Sequence, residues 1–197
     1  MQATTVAYIL TLPSCQLRTI QPLFYARMCC GAGKTKQSVY VFGGMDVHSS
    51  FMTSSKTWSP QVNQWRRLVN TRYAHAYFTP TLYRSNFYLI SSGNLASDAL
   101  VVCFNTVTEV FMELEVLLPI EFQETDFISF VNEGKICVLN NQGVMARWQV
   151  ETEQKMRTSD TNRLCVSMQQ PLVVDKMVFI ASRGEILHFS FDSYSFL

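Results

Sequence analysis

VYVFGG, residues 39–44, and WSPQVNQW, residues 58–65, decide how this chain is read. The first stretch is β-branched and aromatic and closes on Gly43-Gly44. That is a strand running into a sharp backbone turn, where a side chain would collide. The second places Trp58 and Trp65 with six residues between them. Two rings at that interval fit adjacent strands joined by a hairpin, one ring on each, both covering the same face.

The pattern repeats. Apolar runs ending in small or turn-forming residues recur as FYLISSG at 87–93, ICVLNNQG at 136–143 and VFIASRG at 178–184. Their starts lie roughly 40–50 residues apart, the interval of propeller blades. The ring pair recurs as Phe104 and Phe111, and as Phe189 and Phe196. The third repeat keeps Trp148 but has Lys155 at the second position. Upstream, Tyr8 and Cys15 hold the same interval, which reads as the end of an earlier blade. Before each apolar run lies a candidate first strand: FYARMCCG at 24–31, TRYAHAYF at 71–78, TDFISFV at 125–131 and RLCVSMQQ at 163–170. Helical periodicity is poor throughout. TEVFMELEVLL at 108–118 falls where a fourth strand belongs and is read as a strand running into a loop.

The expected fold is therefore all-β: a partial β-propeller of four four-stranded antiparallel blades plus an N-terminal half-blade. The half-blade spans 6–20, and the blades span approximately 24–68, 71–115, 125–157 and 163–197, within one domain over 1–197. Leu197 follows directly on the last fourth strand, so an incomplete ring is expected: a fragment, an isoform, or a chain that pairs with another copy.

Composition narrows the function classes. Of the 197 residues, 48% are apolar and 13% aromatic, which excludes wholesale disorder. The net charge of +1 is dispersed and suggests neither a nucleic-acid nor a membrane partner. The six cysteines form no C-x-x-C pair and sit mostly in apolar runs. Reduced, buried thiols in a cytoplasmic or nuclear protein are expected. Residues 6–12 could pass for a short signal core, but no Lys or Arg precedes them. GAGKT at 31–35 has the tail of a P-loop. The first glycine of that motif would fall at Met28, and a strand follows where a helix is required. It reads instead as a solvated Gly-Lys turn joining two strands.

No catalytic residue, cofactor or metal is expected. His75 and His188 lie on strands and His48 in the loop MDVHSS beside Asp46, and no cysteine–histidine spacing matches a zinc site. A binding role has a mechanism, because loops held on a rigid scaffold are where recognition sits. The candidate partner-binding residues are Asp46, Val47 and His48 after the diglycine, with Asn94 and Arg183 in the equivalent loops. Between blades come Arg27, Arg72, Tyr73 and Arg163. An arginine fork suits carboxylates, so the expected partner is an acidic protein or peptide. The alternative is that each arginine pairs within the fold or covers a strand edge.

The diglycine followed by an aromatic, six residues and Trp resembles the kelch motif. The match is full in the first repeat, at Gly43, Gly44, Trp58 and Trp65. The later repeats have Ser91-Ser92, Asn140-Asn141 and Ala181-Ser182 in place of the diglycine. The resemblance implies a non-catalytic interaction module. Many kelch propellers recognise substrates for cullin-type ubiquitin ligases as parts of BTB–kelch adaptors, and others organise actin or act as scaffolds. Some kelch-like propellers are oxidases, but no cluster of His and Tyr ligands is visible. In the adaptors, arginines near the starts of first strands face the ligand channel, and Arg27, Arg72 and Arg163 look equivalent. The BTB and BACK regions that would engage the cullin are not among these residues.

Overall fold

The apolar run at 39–42 becomes the second strand of a four-stranded antiparallel sheet, and the same order recurs three more times. A computed structural model describes residues 2–11, 14, 16–91, 101–116, 118–122, 127–152, 157–160, 172–174, 177–182, 185–190 and 195–196. The chain divides into two compact units, Met1–Tyr77 and Phe78–Leu197. Every sheet is antiparallel, and none is closed.

The first unit opens with a hairpin, β1 (Tyr8–Thr11) and β2 (Gln16–Thr19). A four-stranded sheet follows: β3 (Gly31–Lys34), β4 (Val39–Phe42), β5 (Ser55–Ser59) and β6 (Gln64–Arg67), in that order. Trp58 faces Trp65 directly across β5 and β6. Both are buried, and with Val41 they form a core that packs against Ala7, Ile9, Ile20 and Leu23 of the hairpin and its exit. The N-terminal pair of strands is thus as expected, but its ring interval is not. Tyr8 faces Thr19 and is exposed, and Cys15 lies outside the described residues. The hairpin reaches the tryptophans with aliphatic side chains instead.

Two expectations need correction here. GAGK is a strand, not a turn. Gly31 and Gly33 point inward while Ala32 and Lys34 point out. The turn comes after it, where the Thr35 hydroxyl accepts from the Gln37 and Ser38 amides. Segments 24–31 and 71–78 are not the first strands, which are β3 and β7 (Thr81–Tyr83). Both segments cross the end of the sheet: the first makes only isolated bridges before Gly31, Thr4 with Arg27 and Met28 with Met45, and the second is held by single backbone bonds at Thr71 and His75. The diglycine is where they meet. Gly43 and Gly44 have φ of +55° and +97°. A Cβ on Gly43 would stand 2.2 Å from the His75 carbonyl oxygen, and one on Gly44 2.7 Å from that of Met28. The Gly44 amide donates to His75 O at 2.6 Å.

The second unit holds three sheets. β7, β8 (Asn86–Ile90), β9 (Val101–Asn105) and β10 (Phe111–Leu114) form one. β11 (Phe127–Asn132), β12 (Lys135–Asn140), β13 (Val144–Trp148) and β14 (Arg157–Asp160) form the next. β15 (Leu172–Val174), β16 (Met177–Ser182), β17 (Glu185–Ser190) and β18 (Ser195–Phe196) form the last. The segment 163–170 lies outside the described residues, and the strand preceding β16 is β15. First strands neighbour one another: β7 lies beside β11, and β11 beside β15. The Thr81 hydroxyl donates to Ser129 Oγ, which donates on to Thr79 O at 2.7 Å. Tyr88, Val101, Cys103, Ile136, Val138 and Trp148 fill the core between the first two of these sheets.

The ring pairs hold where the interval is seven. Phe104 faces Phe111, and Phe189 faces Phe196. The departure at Lys155 has a physical reason. Arg147 faces Arg157, ten positions on, whereas Thr57 faces Arg66, nine on. The third sheet's hairpin is therefore one residue longer; Lys155 itself lies outside the described residues. The same sheet replaces the diglycine with a buried asparagine. Asn140 Oδ1 accepts from the Gln142 and Val144 amides, and its amide donates to Glu121 O.

Candidate functional site

The loop leaving β4 carries the first group of candidate residues. Asp46 organises it. Its Oδ1 accepts from the His48 amide at 2.8 Å and the Ser50 amide at 2.9 Å. These two donors, Ser50 first, hold the Asp46 carboxyl below the usual carboxylate range. The carboxylate therefore shapes the loop, while Val47 and His48 stand exposed at its tip.

The crossing segment 71–75 runs alongside. The Thr71 amide donates to Thr53 O, the His75 amide to Met52 O and the Gly44 amide to His75 O. Arg72 and Tyr73 are exposed on this segment, with the Arg72 guanidinium 5.3 Å from the Tyr73 ring centroid. Beneath them His75 is buried, and desolvation pulls its imidazole down to about 4. It is neutral at physiological pH and belongs to the scaffold of the rim.

Arg27 sits differently from Arg72, although the sequence treats them alike. It is buried, and Nη1 donates to Gly43 O at 2.8 Å and Ser54 O at 3.2 Å. Nη2 donates to Ser54 Oγ at 3.1 Å. Its guanidinium ties the diglycine to the start of β5, from inside. Asp46, Val47, His48, Arg72 and Tyr73 thus share one end of the first unit, and Arg27 lies under them. Asn94, Arg163 and Arg183 lie outside the described residues.

Sequence reasoning missed a second group at the same end. Lys56 on β5 is 1% exposed, and its Nζ makes no hydrogen bond. The ammonium lies 4.6 Å from the Phe24 ring centroid and 4.8 Å from that of Tyr25. Arg67, its partner in register on β6, lies over the same two rings and donates to Tyr25 Oη at 3.0 Å. Burial first, then Arg27 and Arg67 beside it, pull Lys56 down to about 8. A signal was present. In SKTWS, Lys56 is two residues from Trp58 and so shares its face.

Elsewhere, Asn86, Tyr88, Cys103, Leu114, Val116 and Trp148 line an open cavity of about 360 Å³ in the second unit. Burial raises the thiols of Cys103 and Cys137, the latter to about 11, so both stay protonated and poor nucleophiles. Among the described residues no three His, Cys, Asp or Glu side chains gather as a metal set. No helix there is long and apolar enough to cross a membrane. No family model matches the chain, and no curated protein matches it.

Proposed function

We propose that this chain is part of a kelch-type β-propeller and acts as a non-catalytic protein-interaction module. The support for the architecture is threefold. The sheets are four-stranded and antiparallel, with strands in sequence order. Neighbouring first strands lie side by side in the second unit. Aromatic residues pair in register across the outer hairpins of three sheets. One observation carries the binding role. Exposed Val47, His48, Arg72 and Tyr73 stand on crossing segments that are locked together by backbone bonds through the diglycine. A rigid rim with a mixed aromatic, apolar and basic surface is suited to recognising a protein, with Arg72 as the group for a carboxylate.

Its most specific form is substrate recognition for a cullin-type ubiquitin ligase adaptor in the cytoplasm, with regions outside this chain engaging the cullin. The test is affinity capture from cell extract with the chain and with Arg72→Ala and Tyr73→Ala variants, followed by identification of proteins lost from the variants. Loss of a bound protein together with a cullin supports the adaptor reading. Actin retained without a cullin supports a ligase-independent scaffold. Identical capture by all three proteins overturns the rim as the binding surface.

A further inference from the structure

Outside the rim, Lys56 is a buried cation on a strand of the first sheet. A lysine ammonium loses most of its hydration when buried, and folded proteins compensate it with a carboxylate or several acceptors. Lys56 has neither. Its Nζ makes no hydrogen bond, and its charged neighbours are Arg27 and Arg67. Arg27 adds a second buried donor without an acceptor, its Nε. The remaining contacts of Lys56 and Arg67 are with the Phe24 and Tyr25 rings. Three cations thus meet with no carboxylate among the described residues bonded to any of them.

The cover is thin. Phe24 and Tyr25 are 50% and 52% exposed, and they lie in a segment that forms no strand. One layer of aromatic rings separates the Lys56 ammonium from solvent, and that layer is not anchored in a ladder. Displacing it uncovers an ammonium, a guanidinium edge and the exposed fork of Arg67 together. A carboxylate brings one charge to this cluster. A phosphoryl group brings close to two, with three acceptor oxygens.

We propose that the space beneath Phe24 and Tyr25 is a phosphoryl-binding site, with Lys56 and Arg67 as its principal donors and Arg27 Nε as its floor. The phosphoryl group is either free phosphate or the phosphate of a modified side chain on a partner. The site does not rest on the rim reading, because none of its residues is Val47, His48, Arg72 or Tyr73.

Thermal melting with inorganic phosphate, sulfate and acetate at matched ionic strength tests it, followed by calorimetric titration with a phosphoserine peptide and its unmodified form. Phosphate should raise the melting temperature where acetate does not. Arg67→Gln, an exposed substitution, should weaken phosphate binding about tenfold. Lys56→Met should abolish it. Tighter binding of the phosphopeptide than of phosphate identifies a modified partner as the source, and the reverse identifies the free ion. Either result supports the site. Equal shifts with phosphate and acetate, a phosphate response unchanged in Arg67→Gln, or no response at all overturns it. Arg67→Gln keeps the test decisive even if Lys56→Met fails to fold.

Discussion

Trp65 donates both its backbone amide and its indole N–H to Gln21, 44 residues earlier in the chain, at 2.9 and 2.6 Å. Gln21 follows the N-terminal hairpin, so this one residue pins that hairpin to the far strand of the first sheet. The hairpin meets β6 through side chains and this pair of bonds, without a ladder.

Removing the ring should therefore damage folding before binding. Trp65→Ala is expected to cost about 3–5 kcal/mol in urea unfolding. Gln21→Ala should cost about 1–3 kcal/mol, because the Trp65 amide loses its acceptor in a buried setting. A Trp65→Ala protein of unchanged stability would contradict the packing described for this face.

The diglycine allows a sharper comparison. Gly43→Ala puts a methyl 2.2 Å from a backbone carbonyl at φ +55°, and the His75 segment must move to admit it. Gly134→Ala, at φ +74°, meets only the Tyr83 hydroxyl at 3.7 Å. The second should cost about 1 kcal/mol for its left-handed backbone. The first should exceed it by at least about 2 kcal/mol, since clash adds to strain. Equal losses in parallel denaturant titrations would mean that the crossing at His75 is looser than described.

His75 makes the first unit sensitive to acid. Its imidazole stays neutral in the folded chain down to about pH 4, whereas the unfolded chain protonates it near 6.5. The unfolded state binds the extra proton between those values, so stability is complete above pH 6.5 and falls as the pH drops to 4. The loss is about 3 kcal/mol. Stability measured across this window in the wild type and in His75→Gln should converge toward low pH. Parallel curves would sink the assignment.

Lys56 gives the opposite end of the scale. With its folded value near 8 and an ordinary value of 10.5, the unfolded chain holds the extra proton between them. Stability should rise as the pH climbs through that window. The gain is on the order of 1–2 kcal/mol, discounted for solvent one ring away. Lys56→Met should remove the dependence and, without phosphate, match or exceed the wild type at pH 7. A variant that melts lower and keeps the alkaline rise would show that another group titrates.

Much of this fold was legible because apolar runs and ring intervals survive in the primary structure. The second strands β4, β8, β12 and β16 fall on the apolar runs, and the register that pairs the ring-bearing positions of three sheets follows from their spacing. The first strands of the first two sheets were hidden. FYARMCCG and TRYAHAYF carry strand-forming residues, yet they are drawn across the sheet end to bury Arg27 and His75. GAGK has almost no strand propensity, but it pairs because β4 offers a ladder, with the buried positions of the alternation at Gly31 and Gly33. For the site, the Asp46 loop could be read from the diglycine before it. Lys56 could not be singled out by charge alone, and only its shared face with Trp58 marks it.

The extra residue in the third hairpin changes the phase of the repeat as well as its length. The turn absorbs the extra residue, because Arg157 pairs with Arg147 as Arg66 pairs with Thr57, but from Arg157 onward every outer-strand position is displaced by one in the residue count. A consensus built by averaging the repeats would therefore merge inward with outward positions on the fourth strand. A module copied whole from the first sheet would keep its own turn and pairing, whereas a first-sheet turn grafted alone into the third sheet would shift the outer strand by one residue against its partner.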